Sequence, residues 1–383
     1  MADGASRETS ALRVAWLFDL NHCRSPTGVT RHALGQLDRL AHRPDVALTV
    51  VSGRTTEPDG LAFWESLSHL RRRELPISVR HALRLWRVAG GPPVEWWSGP
   101  VDWVYAPMEM FIAARKARFA VTSHDILQDV RYGGPRRQAL LEKVFAAADR
   151  VLSVSAFNTE RLTQMFPECR DKVAQVPNAA DELFFQPSPP NERAAIRADL
   201  GIPPGMPYLL SVASFQPRKN LARLVRVAAR LPEVADGSLA VVLLGAGSES
   251  EAEPIREAMS GAGRRAVIRL PGYRQGRTLR AAYAESTALV FPSTCESFGI
   301  PAVEAMAQGI PVALADSTAL PEVGGDAGWY FDPDDDEAML AALRSLLDQP
   351  DERARRVALG REIAQQFRWQ AANDRLVEAL RGG

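Results

Sequence analysis

Short apolar runs of strand length alternate with stretches of helical periodicity along the whole chain, the pattern of an α/β protein with parallel sheets. In the first half the runs predict strands near Arg13–Phe18, Ala47–Ser52, Trp103–Tyr105, Ala120–Ser123, Val151–Val154 and Val173–Val176. A loop follows the first of these, then a helix from about Val29, where Val29, Ala33, Leu37, Leu40 and Ala41 recur on one face. The stretch Gln186–Asn191 carries Pro187, Pro189 and Pro190, which resist both helix and central strand, and Gly201–Gly205 marks a second break after a short helical piece. Alternation restarts with strands near Tyr208–Val212, Leu239–Leu244, Val267–Leu270, Ala288–Phe291, Val312–Ala315 and Gly328–Phe331. Long helical patterns follow at Glu337–Leu347 and Trp369–Leu380. The expected organisation is a disordered polar lead over residues 1–11, an α/β domain over 12–185, a linker over 186–200, a second α/β domain over 201–366 and a final helix over 367–383. Two such domains facing across a cleft would offer a ligand the ends of their strands.

Composition narrows this only slightly. A chain of 383 residues with 46% apolar and 24% charged positions has room for two full cores. Lys plus Arg and Asp plus Glu balance at 46 each, so no excess of positive charge points to a nucleic-acid partner. Cys23, Cys169 and Cys295 are widely spaced, which suits a reducing compartment and argues against both a zinc site and a disulfide framework. Met1–Ala11 lacks the apolar stretch of a signal peptide, and no apolar run is long enough to span a bilayer. The expectation is a cytoplasmic protein, with a peripheral contact at the inner face of the plasma membrane left open.

The chemistry concentrates in one run, Cys295-Glu296-Ser297-Phe298-Gly299-Ile300-Pro301-Ala302-Val303-Glu304-Ala305-Met306. It follows the predicted strand Ala288–Phe291 and enters a helix that Pro301 can open. Glu296 then lies in the strand-to-helix loop, and Glu304 lies about one turn inside the helix. Gly299 admits close backbone approach, and free amides at a helix start favour an anion such as phosphate. One carboxylate can take sugar hydroxyls and the other a ribose, with a diphosphate between them. Acids near a helix start also occur simply because they complement the helix dipole, so spacing alone does not decide. The wider pattern does: Phe291-Pro292-Ser293, Glu296, Phe298-Gly299, Pro301, Glu304-Ala305-Met306, Gly309 and Pro311. It resembles the signature of retaining glycosyltransferases of family 4 (glycosyl transferases group 1), which have the GT-B fold of two Rossmann-like parallel-sheet domains.

Other segments extend the resemblance. Arg218 and Lys219, in Ser214-Phe215-Gln216-Pro217-Arg218-Lys219-Asn220, match the basic turn that holds the donor phosphates. Such a pair neutralises the charge of a departing nucleoside diphosphate. Many members carry an arginine where Ser214 aligns, so here Arg218 is left to supply that charge. Thr27-Gly28 resembles the glycine-rich first loop, which usually has two glycines. His124, in the His124-Asp125 pair at a predicted strand end, matches the histidine near the transferred sugar, while Asp125 caps the next turn. The resemblance thus implies catalytic roles for Glu296, His124, Arg218 and Lys219. It implies donor binding by Gly28, Gly245, Tyr273, Ser297, Phe298, Gly299, Ile300 and Glu304. It also implies that the final helix from Trp369 crosses back to the first domain. The donor would be a nucleotide-diphosphate sugar, UDP- or GDP-linked by family habit, and the acceptor a saccharide or lipid-linked hydroxyl.

Two signals are set aside. Asp334-Asp335-Asp336 suggests a metal motif, but its place between a strand and a helix suits capping. The histidines lack paired zinc spacing, so neither cofactor nor metal is expected. A third signal stays open. Over Leu70–Trp97, after Arg71-Arg72-Arg73, the residues Arg80, Arg84 and Arg87 share one helical face, with Val79, Leu83 and Trp86 on the neighbouring one. The preferred reading is an ordinary surface helix; the other is a contact with anionic lipid or a lipid-linked phosphate acceptor. Rival functions are a nucleotide-sugar epimerase of the same architecture and a non-catalytic sugar-nucleotide binder. A nicotinamide dehydrogenase is weaker, since no G-x-G-x-x-G follows the first strand.

Overall fold

Strands buried on both faces read as unbroken apolar runs, and parallel sheets covered by helices are where such strands occur. The computed structural model, which describes residues 11–24, 28–127 and 133–382, has two of these sheets. The expected lead of residues 1–11 lies almost wholly outside the described residues, as does Thr27.

The first sheet comprises β1 (Leu12–Leu17), β2 (Val46–Ser52), β3 (Arg71–Glu74), β4 (Trp103–Ala106), β5 (Arg118–Ser123), β6 (Arg150–Ser153) and β7 (Val173–Gln175). Their spatial order is β3-β2-β1-β4-β5-β6-β7, and every pairing is parallel. Pairing of β1 with both β2 and β4 creates a topological switch point, the usual ligand position in an open sheet. β3 was not expected. Arg71, Arg72, Arg73 and Glu74 have no apolar alternation, yet they pair in register with Thr49 to Ser52. An edge strand needs to satisfy only one side of its backbone, and charge there discourages further pairing.

The second sheet comprises β8 (Tyr208–Val212), β9 (Ala240–Leu244), β10 (Ile268–Gly272), β11 (Ala288–Phe291), β12 (Val312–Ala315) and β13 (Gly328–Phe331). Its order is β10-β9-β8-β11-β12-β13, again parallel, with the switch point between β8 and β11.

The chain divides into a unit ending at Asn178, to which the residues from Trp369 onward belong, and a unit of Ala179–Arg368. The stretch read as a linker belongs to the second unit, and the short helical piece expected before Gly201 is helix Pro190–Asp199. Pro190 sits in its first turn, where a missing N–H costs nothing, so a proline run that seemed to forbid a helix starts one. Helix Trp369–Arg381 packs on the first unit: Trp103 Nε1 donates to the Leu380 carbonyl at 2.9 Å and Asn373 Nδ2 to the Gln36 carbonyl at 3.1 Å. Among the described residues no helix is long and apolar enough to cross a membrane.

Candidate active site

The loops leaving β8 and β11, adjacent strands at the switch point, are tied together by backbone. The Arg218 carbonyl accepts from Thr294 N at 2.8 Å, Ser293 Oγ at 3.1 Å and Thr294 Oγ1 at 3.2 Å. On the β8 side Pro217–Lys219 forms one 3₁₀ turn, and Asn220 then takes a left-handed conformation at φ 58°. Asparagine tolerates that region, and its Nδ2 is fixed on the Pro333 carbonyl at 2.9 Å. The turn delivers Lys219 into the protein, 9% exposed, with its Nζ on Glu296 Oε1.

Glu296 is itself 8% exposed. Arg218 Nη1 lies 3.5 Å from its Oε2 and donates to the Cys295 carbonyl at 2.8 Å. Burial pushes the Glu296 carboxyl upward, but Lys219 and Arg218, with hydrogen bonds from Lys219 and Ser293, outweigh it and hold the group below the usual carboxylate range. The carboxylate is therefore charged and fixed. Its backbone is held from a third loop: Glu296 N donates to Thr318 Oγ1 at 2.9 Å, and Ser317 Oγ donates to the Ser293 carbonyl at 3.0 Å. Thr318 has φ 54°, an outlier for a β-branched residue, and such strain gathers where surroundings over-determine a conformation.

Gly299, at φ 108°, then turns the chain into helix Ile300–Ala307 with Pro301 in its first turn. A Cβ there would fall 2.6 Å from Leu320 Cδ2, so both dihedral and space demand glycine. Ser297 precedes it, and the Phe298 ring packs edge-on against Phe367 with centroids 5.3 Å apart. Glu304 lies on the buried side of this helix, 2% exposed, where Tyr283 Oη donates to its Oε2 at 2.9 Å. The structure thus gathers Arg218, Lys219 and Glu296 into one ionic cluster and places Glu304 further along on a tyrosine. Gly245 has a packing role: a Cβ there would fall on the Ala213 carbonyl oxygen, which joins the loop after β9 to that after β8. Tyr273, following β10, is 43% exposed.

In the first unit, Gly28 opens helix Gly28–Ala41, and a Cβ there would meet nothing. His124 follows β5 and is 5% exposed. Its backbone N–H donates to Glu109 Oε1 at 2.7 Å, and its Nε2 meets the Pro107 carbonyl at 2.8 Å. Arg137 pairs with the same Glu109 at 3.3 Å. Asn158 steadies this segment, accepting from Ile126 N at 3.2 Å and donating to the Ser123 carbonyl at 3.1 Å. Thr318, Tyr283 and Glu109 had gone unread in the sequence; each acts through a partner distant along the chain, and a positive φ on threonine leaves no sequence mark.

The triple aspartate serves structure. Asp335 caps helix Asp336–Asp348 through Glu337 N and Ala338 N, while Asp334 and Asp336 each pair with Arg223 at 2.8 Å. Among the described residues no three His, Cys, Asp or Glu side chains gather as a metal site would need. On helix Val79–Ala89, Arg80, Arg84 and Arg87 are exposed, and so are Leu85 at 40% and Val88 at 79%. Val79, Ala82 and Trp86 face the core.

A family model described as "Glycosyl transferases group 1" matches residues 192–363. The chain is 28% identical to O-antigen chain mannosyltransferase B of Escherichia coli, over 82% of each chain. It is 30% identical to the D-inositol 3-phosphate glycosyltransferase of Kineococcus radiotolerans, over 80% of this chain and 74% of that one. Among solved structures, Anabaena HepE in complex with UDP and glucose superposes with a TM-score of 0.76 at 17% identity, covering 97% of this chain and all 100% of its own. WaaG, a glycosyltransferase of lipopolysaccharide biosynthesis, does so with 0.70 at 16% identity, covering 97% and 100%. At such identities the likeness speaks for the fold, and the fold is the one expected, two Rossmann-like α/β domains of GT-B type.

Proposed function

The chain belongs to the glycosyl transferases group 1 family, and from that premise we propose that it is a retaining, metal-independent hexosyltransferase. Its donor is a nucleotide-diphosphate sugar, with a GDP-linked mannosyl donor favoured by the mannosyltransferase relative and a UDP-hexose the alternative. Its acceptor is a hydroxyl of a saccharide or lipid-linked saccharide, in the assembly of a surface polysaccharide. One observation carries the reading: a buried, ionised Glu296 fixed by Lys219 and Arg218 where β8 and β11 part, just ahead of the Gly299 turn.

In this reading the diphosphate lies on the amides of the Gly299–Ile300 turn, beside Arg218 and Lys219. An ammonium has three donors, and Lys219 uses one on Glu296, which leaves capacity for a phosphate oxygen. Fixed cations stabilise the charge that grows on the departing oxygen. The bond from the anomeric carbon to that oxygen breaks while the acceptor hydroxyl attacks from the same face. The acceptor's proton passes to the departing phosphate, which leaves as nucleoside diphosphate. Glu296 orients the sugar and supports positive charge on its ring, His124 contacts the sugar, and Glu304 takes the ribose. Gly245, Tyr273, Ser297 and Phe298 shape the donor pocket of the second unit, and Gly28 is the donor-binding residue proposed in the first.

A thermal-shift panel of UDP-, GDP- and ADP-sugars tests the donor, because stabilisation grows with ligand concentration over dissociation constant. Absence of a shift with all three would sink the nucleotide-sugar reading, and equal shifts would show only that the base is not selected. Proton NMR of the product then reads the anomeric configuration, and an inverted product would remove the retaining mechanism. The exposed Arg80, Arg84 and Arg87 beside Leu85 and Val88 support a peripheral contact with anionic membrane. Replacing the three arginines by serine is expected to abolish co-sedimentation with phosphatidylserine vesicles at about 0.1 M salt, where exposed charges are screened within about 10 Å. Turnover on a soluble acceptor should be unchanged.

A further inference from the structure

His32 stands one turn inside helix Gly28–Ala41 and is fully buried, 0% exposed. Its ring meets the His124 ring edge to face, centroids 4.6 Å apart at 82°, and meets Trp369 at 5.3 Å and 65°. Neither ring nitrogen has a partner at hydrogen-bond geometry, and neither do two amide atoms nearby, Gln36 Nε2 and Asn178 Oδ1. The Gln36 carbonyl oxygen is engaged elsewhere, accepting from Tyr105 Oη at 2.7 Å, and Tyr105 Oη also meets Thr122 Oγ1, two residues before His124. Desolvation and the neighbouring His124 push the His32 imidazole far below its usual range, with the Asn178 and Gln36 amides offsetting a part, so the ring is neutral.

A buried imidazole without a strong partner is an expensive way to fill a core. Leucine at this position would fill the space without that penalty. What the ring does is limit His124. The Pro107 carbonyl sets which nitrogen of His124 carries the proton, while the edge-to-face contact sets the plane of its ring. Trp369 also packs against the His32 ring and fills the space over Gly35 in the same helix.

The geometry points to His32 as a positioning residue: through the packed series Trp369–His32–His124 it fixes the ring plane of His124, and so keeps the His124 Nε2 on the Pro107 carbonyl that selects its tautomer. This rests on the proposed contact of His124 with the transferred sugar. A misplacement of about 1 Å at a reacting group costs about 10²-fold in rate, so losing the His32 ring should lower kcat substantially. His32→Leu is expected to lower kcat by about 10-fold or more with little change in donor KM, while His32→Phe, which restores a ring edge, stays within about 3-fold of the wild type. In a His124→Ala background the same His32→Leu change should cost almost nothing further, because positioning acts only through the residue positioned.

Nitrogen-15 NMR of the imidazoles supplies a readout independent of turnover. The wild type should show His124 as a single Nε2–H tautomer, and His32→Leu should show averaging between the two. Additive losses in the double variant, or an unchanged His124 tautomer in a folded His32→Leu protein, would overturn the proposal. Should His32→Leu fail to fold, His32→Phe and His32→Asn decide it: asparagine must lose the activity that phenylalanine keeps, and equal activities overturn it. Full activity in His124→Ala would instead remove the sugar contact from the proposed mechanism, and the NMR result would still decide whether His32 orders that ring.

Discussion

At the scale of single residues, the cluster of Glu296, Lys219 and Arg218 is where charge matters most. Glu296→Gln is expected to lower kcat by about 10²- to 10³-fold, the loss typical of a preorganised electrostatic group, while circular dichroism reports an intact fold. Near-normal turnover would take Glu296 off the catalytic list. Its stability signature follows from linkage. The folded carboxyl titrates below the ordinary value of 4.5, so the ionised group stabilises the native state at pH above that value. This contribution is lost as pH falls through the lower folded value. Urea midpoints of the wild type and Glu296→Gln should therefore stay fully separated above pH 4.5 and converge as pH falls from there through the lower folded value. Lys219→Met removes one partner of a buried pair and leaves Arg218 as the cation beside Glu296. A loss of about 3 kcal/mol in urea unfolding is expected, the lower end for breaking such a pair.

At the scale of elements, the Gly299 turn carries a similar demand. Gly299→Ala would place a side chain at φ 108° against Leu320. It should cost about 1–3 kcal/mol in unfolding and weaken nucleoside diphosphate binding measured by calorimetry. The turn was legible in the sequence because a glycine between a strand and a proline-led helix has few other uses. Most strands were legible for a related reason: β8, β9, β11 and β12 are buried on both faces and spell it out in apolar residues. β3 was not, because partner β2 and not its own composition makes Arg71–Glu74 a strand. Helix Pro350–Gln365 was also missed; only Gly360 and Ala364 are buried in it, so it shows no apolar stripe to read. In the site, Glu296, Arg218 and Lys219 stood out because they lie in contiguous strand-to-helix runs that resemble the family pattern. Thr318, Tyr283, Glu109 and His32 did not, since each is marked only by the partner that tertiary folding places beside it.

At the scale of the whole molecule, the units are unequal in how the chain builds them. Ala179–Arg368 is one continuous stretch, whereas the first unit needs residues from both sides of it. Ending the protein at Arg368 removes the helix that caps Trp103, Gln36 and His32. Limited proteolysis of that truncation should cut the first unit rapidly while calorimetry still detects nucleoside diphosphate binding by the second. Equal resistance of both units would show that the helix adds little. The same connectivity has a consequence for synthesis. On the ribosome, the strands of the first unit emerge early, but Trp369 and its helix follow only after the entire second unit has been made. Until then the apolar surface around Trp103 and the imidazole of His32 stay uncovered on the nascent chain, so the half translated first is the half that matures last.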